Sequence, residues 1–223
     1  MGIALVLAAA APAATGGPAA IAFVGDLGLL TVGSDGTGPT QLRDGACPPS
    51  TLPPCPGAEA ATWSPDGTQL AAVVGTQLWL FGTDGTSQLL PTGVAVTGKS
   101  SPAWSPDGRR IAFLNRDVVD GFGTLFDVYV IDLGSAAVRR LTVGNQVTDL
   151  AWAPGPQVVY ASGFNNRFAL FILDADGSAR QLTHPEEGDV DRRPAWSPNG
   201  KDIAFVHLRQ IGDEARKSLR VES

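Results

Sequence analysis

The side chains that could carry acid–base or nucleophilic chemistry are few in this sequence. Among 223 residues there are two histidines, His184 and His207, and neither has a partner at a spacing that suggests a catalytic triad. The sequence also lacks the nucleophile motif G-x-S-x-G and the S-x-x-K set with its companion motifs. It therefore predicts no catalytic residue. We interpret His184 as an exposed loop residue and His207 as a structural residue at the end of a strand.

Aspartates recur along the chain, and the stretch from Asp174 to Gly177 begins like a calcium-binding loop. An EF-hand needs the pattern D-x-[DN]-x-[DN]-G with a glutamate at its twelfth position, and the sequence has no match to it. Asp66, Asp107 and Asn199 stand on separate turns, so they do not converge on one ion. We interpret them as turn residues and predict neither a metal nor a cofactor.

The first 18 residues have the character of a signal peptide. An apolar run from Ile3 to Ala11 ends in Ala-Pro-Ala at 11–13, which fits the small-x-small pattern read by signal peptidase. The run is shorter than the roughly 20 apolar residues that a membrane-spanning helix requires. We predict a leader over 1–18 and a periplasmic or secreted protein; an alanine-rich disordered tail is the alternative.

Cys47 and Cys55 lie in a proline-rich stretch with seven residues between them. Export would bring the chain into an oxidising compartment, where closing a loop of this size stabilises the fold by about 2–3 kcal/mol. We predict a disulfide between Cys47 and Cys55, with two free thiols as the alternative.

Composition indicates a turn-rich, all-β domain. The chain contains 27 glycines and 17 prolines, and charged residues make up 17% of it, against about 25% in typical soluble domains. Its length fits one domain. A net charge of −6 provides no basic surface for a polyanion, so we expect no nucleic acid partner and no membrane insertion.

A repeat sets the predicted architecture. The segments ATWSPDG, PAWSPDG, LAWAPGP and PAWSPNG place tryptophans at 63, 104, 152 and 196, which are 41, 48 and 44 residues apart. Each tryptophan ends a segment A, and three short apolar segments, B, C and D, follow it. Tight turns rich in Asp and Gly separate A from B and C from D. This pattern is typical of four-stranded propeller blades, in which the tryptophans are expected to pack against the neighbouring blade.

The motif WSPDG-x-x-IAF, followed by an apolar strand, a D-x-D-G turn and R-x-L-T, resembles the repeat of TolB-like β-propellers. These are exported bacterial proteins related to the propeller domains of prolyl-oligopeptidase-like peptidases. The resemblance covers 19–223 and implies six blades, whereas the residues after the leader hold about 4.7 repeats. We expect five blades or an incomplete, truncated six-bladed ring, with blades at about 19–45, 58–92, 99–143, 147–184 and 191–223.

Three units depart from the repeat. Unit one has no tryptophan segment, and unit five ends in segment C, so we expect an A strand to be missing from the first and a D strand from the last. In unit four, Ala153-Pro154-Gly155 replaces Ser-Pro-Asp, which leaves its A–B turn undefined. An open edge would be prone to pairing with another chain, and irregular closure of a five-bladed ring is the alternative.

The connections between segments divide between two faces of a propeller. The A–B and C–D turns are short and repetitive, whereas the B–C and D–A connections are long and varied, with the B–C loops of units three to five expected at 115–124, 162–167 and 207–217. A partner is expected on this second set. Mixed charge there favours a protein or peptide over a polyanion, and a solvated polar rim is the alternative. The candidate partner-binding residues are Arg116, Asp117, Asp120, Asn165, Asn166, Arg167, Glu186, Glu187, Asp189, Asp191, Arg192 and Arg193.

The predicted function is that of a non-catalytic exported β-propeller, a protein–protein interaction scaffold with an envelope or extracellular protein or peptide as its partner. The alternative is a propeller domain fragment of a prolyl-oligopeptidase-like serine peptidase whose catalytic domain lies outside this chain. A metal-dependent hydrolase propeller is disfavoured by the scarcity of histidine.

Overall fold

The computed structural model describes ten stretches of the chain: 6–7, 20–25, 28–33, 40–44, 58–97, 102–119, 123–164, 167–174, 177–211 and 214–223. All the regular structure in these residues is β-strand, which confirms the predicted all-β class. Within the same residues, no helix has the length and apolar character that crossing a bilayer requires. The predicted Cys47–Cys55 disulfide lies outside the described residues, as do Asp120, Asn165 and Asn166.

The strands fall into five consecutive units. Unit one contains β1 (Val6–Leu7), β2 (Ala20–Gly25), β3 (Gly28–Gly33) and β4 (Thr40–Asp44). Unit two contains β5 (Ala58–Trp63), β6 (Gln69–Val74), β7 (Gln77–Gly82) and β8 (Ser87–Leu89). Unit three contains β9 (Ala103–Trp104), β10 (Arg110–Val119), β11 (Gly123–Asp132) and β12 (Val138–Arg140). Unit four contains β13 (Val147–Trp152), β14 (Val158–Phe164), β15 (Arg167–Leu173) and β16 (Ala179–Gln181). Unit five contains β17 (Val190–Trp196), β18 (Ile203–Ile211) and β19 (Glu214–Glu222).

Each unit is an antiparallel meander whose strands pair in sequence order. The tryptophan that ends the first strand lies opposite the first apolar residue of the second strand, as Trp104 does with Ile111. One parallel bridge, between Phe168 of β15 and Val190 of β17, joins the sheets of units four and five. The predicted four-segment repeat is therefore confirmed in units two to four, and unit five contains segments A to C among the described residues.

Consecutive units pack face to face through apolar side chains. Between units two and three, Leu78 and Leu80 of the first sheet lie in one core cluster with Trp104, Ile111 and Phe113 of the second. Equivalent clusters join unit one to two, three to four and four to five. Alternating residues of the B and C strands thus face opposite neighbours, which explains why these strands read as almost continuous apolar runs.

The repeated tryptophans belong to these interfaces, as predicted. Trp63 and Trp104 are 7% and 8% exposed, and Trp152 and Trp196 are half-buried in the equivalent clusters. The Trp104 indole donates from Nε1 to the carbonyl oxygen of Thr62 at 3.2 Å and so links unit three to unit two. The other three indole N–H groups have no acceptor within the described residues.

The Ser-Pro-Asp-Gly turns share one hydrogen-bond pattern, shown here for unit three. Ser105 Oγ donates to Asp107 Oδ1 at 2.6 Å and accepts the backbone N–H of Arg110 at 2.9 Å. Asp107 Oδ1 also accepts the backbone N–H of Arg109 at 3.1 Å. The bonds from Ser105 and Arg109 lower the pKa of Asp107 because they stabilise its carboxylate. Gly108 closes the turn at a φ of 67°, a conformation that glycine adopts without strain.

The A–B turn of unit four is shorter than the others. Trp152 lies opposite Val158, one residue nearer in sequence than the equivalent pair in unit three, and the Ala153 N–H donates to Gln157 O at 2.8 Å. The Gln157 side chain donates from Nε2 to Asp174 Oδ1 at 2.5 Å. This bond joins the A–B turn of unit four to its C–D turn.

The predicted B–C loops of units three to five are β-hairpins instead. Pairing continues to Val119 and Gly123 in unit three, to Phe164 and Arg167 in unit four, and to Ile211 and Glu214 in unit five. The loop boundaries predicted at 115–124, 162–167 and 207–217 are therefore wrong, because strand pairing satisfies the backbone groups of these polar residues as well as those of the apolar segments.

Unit one also differs from expectation. Val6 lies opposite Val24 and Leu7 opposite Phe23, so β1 occupies the position of an A strand in this sheet. The expectation that unit one has no A strand is therefore wrong. Two residues of the predicted leader take part in this pairing, and the leader itself stays a prediction.

Candidate functional site

The two kinds of connection lie at opposite ends of the sheets. In unit two the Thr83 N–H donates to Thr68 O at 3.0 Å, and in unit three the Leu133 N–H donates to Arg109 O at 2.8 Å, so A–B and C–D turns meet at one end. The B–C hairpin ends and the D–A crossovers lie at the other. We call that end of units three to five the hairpin face; its described residues are 115–119, 123–127, 140–149, 162–164, 167–168, 182–193, 207–211 and 214–218.

A buried carboxylate anchors the hairpin face in unit three. Asp127 of β11 is 1% exposed and accepts hydrogen bonds from Thr142 Oγ1 at 2.7 Å and from the backbone N–H groups of Gly144 at 3.1 Å and Asn145 at 3.2 Å. Arg140 of β12 donates from Nη2 to Asp127 Oδ2 at 2.7 Å. Asp127 therefore fixes the crossover from unit three to unit four.

Arg140 extends this network to the surface. Its side chain is 35% exposed, and Nη2 lies 3.8 Å from Oδ2 of Asp117, which is 38% exposed. Asp117 Oδ1 accepts a hydrogen bond from Asn115 Nδ2 at 2.7 Å. The hydrogen bond to Asp127 raises the pKa of Arg140, so the guanidinium stays charged. Asp117 and Arg140 therefore form a charged pair at the surface, and the buried Asp127 holds Arg140 in place.

A second buried network lies under the hairpin face in unit five. His207 of β18 is 4% exposed and lies between Asp191 of β17 and Asp189 of the preceding crossover, which are 3% and 5% exposed. Its Nδ1 is 2.7 Å from Asp191 Oδ1, and its Nε2 is 3.4 Å from Asp189 Oδ2. One imidazole thus connects the D–A crossover to the first two strands of unit five.

The unit-five network does not have the geometry of a catalytic or metal site. Both ring nitrogens of His207 face carboxylates of the protein, and Nε2 is buried, so the imidazole is closed to a substrate. Asp189 and Asp191 lie on opposite sides of the ring and do not surround a common point. Across the residues that the structure describes, no three His, Cys, Asp or Glu side chains are arranged to hold a metal ion. The network can fix a crossover and the surface above it.

The predicted partner-binding residues divide into an accessible and a buried group. Those that are exposed or half-exposed are Arg116, Asp117, Arg167, Glu186, Glu187 and Arg193. Asp189 and Asp191 are buried against His207, so they support the surface from below. Arg192 is half-buried, with its guanidinium 4.6 Å from the centre of the Phe168 ring.

The structure also corrects where these residues lie. They are predicted on loops, but Arg116 and Asp117 belong to β10, Arg167 begins β15 and residues 191–193 belong to β17. Among the candidate residues that the structure describes, only those at 186–189 stand on a connection. The candidate surface is therefore built mainly from paired strand ends, which hold side chains more rigidly than loops do.

Sequence reasoning missed the partner of His207 for a specific reason. Regular pairing continued from Trp196 and Ile203 would place His207 opposite Arg192, but a bulge between Arg192 and Ala195 shifts the register by one and places it opposite Asp191. Within the bulge Arg193 adopts a φ of 55°, which is uncommon for a residue with a side chain. The D-x-D spacing at the start of β17 is visible in the sequence, whereas the bulge that turns it toward His207 is not.

Two curated relatives match part of this chain. It is 37% identical over 83 residues to the Tol-Pal system protein TolB of Thioalkalivibrio sulfidiphilus and 40% identical over 74 residues to that of Methylococcus capsulatus. The matches cover 36% and 33% of this chain but 19% and 16% of the relatives, so the chain spans less than a fifth of the proteins it matches. No family model matches the chain.

Solved structures extend the likeness to most of the chain. A TolB-type protein of Agrobacterium tumefaciens superposes with a TM-score of 0.69 over 98% of this chain and 80% of its own, at 20% identity. TolB of Acinetobacter baumannii superposes with a TM-score of 0.65 over 89% of this chain and 46% of its own, at 22% identity. Dipeptidyl peptidase 4 of Porphyromonas gingivalis superposes with a TM-score of 0.58 over 90% of this chain and 36% of its own, at 10% identity. At such identities the likeness concerns the fold. The repeat and the fold of this chain are those of the TolB-like β-propellers.

Proposed function

We propose that this chain is a non-catalytic exported β-propeller that acts as a protein–protein interaction scaffold and binds an envelope or extracellular protein or peptide through the hairpin face. The observation that carries the proposal is a set of charged side chains held on that face above two buried hydrogen-bonded networks. A surface fixed in this way loses little conformational entropy on binding, which favours affinity for a protein partner.

The exposed chemistry of the face supports a protein partner. Arg116, Asp117 and Arg140 present both signs of charge in unit three, and Glu186 with Arg209, whose atoms lie 3.2 Å apart, does so between units four and five. Interspersed charges of both signs give specificity toward a complementary protein surface, whereas a polyanion would need a basic one. The matched relatives are named for the Tol-Pal system, which agrees with an envelope partner.

Crosslinking followed by affinity capture from envelope extract tests the proposal. The variant Arg116→Glu/Glu186→Lys/Glu187→Lys changes the charge pattern of the hairpin face, and we expect it to lose the partners that the parent chain captures. The matched control Arg109→Glu/Lys201→Glu changes exposed residues at the A–B turns, at the opposite end of the sheets, and should keep them. Capture of the same partners by all three proteins, or of none by the parent, would overturn the proposal.

A second candidate is the propeller domain of a prolyl-oligopeptidase-like serine peptidase, favoured by the fold likeness to dipeptidyl peptidase 4. In that case an α/β-hydrolase domain would supply the catalytic residues. Sequencing the gene past codon 223 tests this directly. A downstream G-x-S-x-G with its aspartate and histidine would support the peptidase, and a stop codon would exclude a catalytic domain on that side.

A further inference from the structure

The interfaces of units three and four each contain an aromatic pair at the same place. In unit three, Phe113 of β10 lies opposite Tyr129 of β11, and the ring centres are 5.9 Å apart. In unit four, Tyr160 of β14 lies opposite Phe171 of β15, with ring centres 5.5 Å apart. The register is the same in both units, so the B and C strands of each supply one ring to the face that meets the preceding unit.

The preceding unit supplies a leucine to each of these pairs. Leu90 directly follows β8 and lies in one core cluster with the rings of unit three. Leu141 directly follows β12 and packs on the cluster of unit four. Leu182 directly follows β16 and packs on the cluster between units four and five. The third interface therefore has the same leucine as the first two.

Unit five breaks the pattern at one position. Phe205 of β18 is 4% exposed and equivalent to Phe113 and Tyr160, but its cross-strand neighbour on β19 is Arg220, which is exposed. A groove of about 340 Å³ lies at this place, and Leu182, Phe205 and Arg220 line it. That volume falls within the range of about 300–1,000 Å³ usual for ligand pockets. We call this groove the unit-five slot.

We propose that the unit-five slot binds an aromatic side chain of the protein partner. The ring would displace the exposed side chain of Arg220, which lies opposite the buried Phe205. It would then stack on Phe205 and contact Leu182, in the position that Tyr129 and Phe171 hold in units three and four. The chain itself thus shows which kind of group fits this position. The inference deepens the proposed function, on which it rests for the partner's being a protein.

The polar lining of the slot favours a ring that carries a hydrogen-bond donor. Asp191 and the exposed His184 also line the groove. One oxygen of the Asp191 carboxylate is held by His207, which fixes the orientation of the group. A tyrosine hydroxyl or a tryptophan indole N–H entering the slot would find a carboxyl oxygen of Asp191 as its acceptor. We therefore expect tyrosine or tryptophan rather than phenylalanine.

The probe N-acetyl-L-tyrosinamide tests the slot in the full chain. We expect saturable shifts of the backbone amide signals of His184, Phe205 and Val221 in nitrogen-15 NMR spectra, and no such shifts with N-acetyl-L-leucinamide. The variant Arg220→Phe places a ring of the chain itself opposite Phe205. Because this ring fills the slot, it should weaken probe binding at least tenfold. It should also raise the melting temperature, which reports that the new ring occupies the slot. Arg216→Phe places a ring elsewhere on β19 and should bind the probe as the parent chain does.

Three outcomes would overturn the slot. They are shifts that do not saturate, equal binding of the leucine probe, and unchanged probe binding by a folded Arg220→Phe variant. The capture experiment separates this result from the proposed function. Probe binding without any captured partner would overturn the proposed scaffold function but support the slot as a site for an aromatic ring. Partner capture that Arg220→Phe does not change would show that the partner does not use the slot.

Discussion

His207 Nδ1 lies 2.7 Å from Asp191 Oδ1 where β17 and β18 pair, and both side chains are almost completely buried. Asp189, on the other side of the imidazole, is buried as well. Carboxylates are costly to bury unless they are paired and hydrogen-bonded. The same histidine therefore stabilises the strand pairing and the path of the crossover that forms part of the hairpin face.

Replacing His207 with alanine should lower the free energy of unfolding by about 3 kcal/mol, because the buried Asp191 carboxyl group loses its hydrogen-bond partner and Asp189 loses the ring beside it. Urea denaturation of the full chain measures the change. His184→Ala removes the other histidine, which is exposed, and should change stability by less than about 0.5 kcal/mol. Equal effects of the two substitutions would show that the buried network does not contribute.

Asp127→Ala should destabilise unit three and the crossover that follows it by about 3–5 kcal/mol. The substitution leaves Arg140 without its buried partner and removes the acceptor of the Gly144 and Asn145 backbone N–H groups. Hydrogen exchange should show lost protection at those two amides, and denaturation gives the total effect. Asp117→Asn keeps an acceptor for the Asn115 side chain and removes only the charge 3.8 Å from Arg140, so it should cost no more than about 1 kcal/mol. A larger effect of Asp117→Asn than of Asp127→Ala would contradict this assignment.

The A–B turns should make stability depend on pH in the acid range. Hydrogen bonds, first among them those of the serine hydroxyls, lower the pKa values of Asp66 and Asp107 below the usual 3.8. A carboxylate whose pKa is lowered by folding stabilises the chain above the unfolded value, and this contribution is lost as the pH falls through the folded value. The loss should therefore occur below 3.8.

The double variant Asp66→Asn/Asp107→Asn tests this pH dependence. Asparagine can accept the same bonds, as Asn199 does in unit five, but it does not titrate in this range. As the pH falls from about 4 to about 2.5, the free energy of unfolding of the parent chain should decrease more steeply than that of the variant. Parallel curves would show that the turn aspartates do not contribute. Glu187→Gln, which removes an exposed carboxylate outside the turns, is the control and should leave the slope unchanged.

The repeat could be predicted from the sequence because its signals are local. Trp104, the Ser-Pro-Asp-Gly turn after it and the apolar residues from Ile111 each determine structure within a few residues, and the structure confirms them. The length of the B–C hairpins could not be predicted, since polar residues such as Arg116 and Asp117 continue β10 through backbone pairing alone. The networks of the hairpin face depend on contacts between distant residues, which no spacing in the sequence displays.

Trp104 and Trp63 should differ in what their indole N–H groups contribute, although they occupy equivalent places and are about equally buried. Trp104 donates to Thr62 O, whereas the Trp63 N–H has no acceptor within the described residues. Substitution by phenylalanine removes similar volume at both positions, but at 104 it also leaves a carbonyl without its donor. Trp104→Phe should therefore cost about 1 kcal/mol more than Trp63→Phe in urea denaturation, the net value of one hydrogen bond. If Trp63→Phe were the more costly, the repeated tryptophans would contribute through ring packing alone, and the bond between units two and three would add nothing to stability.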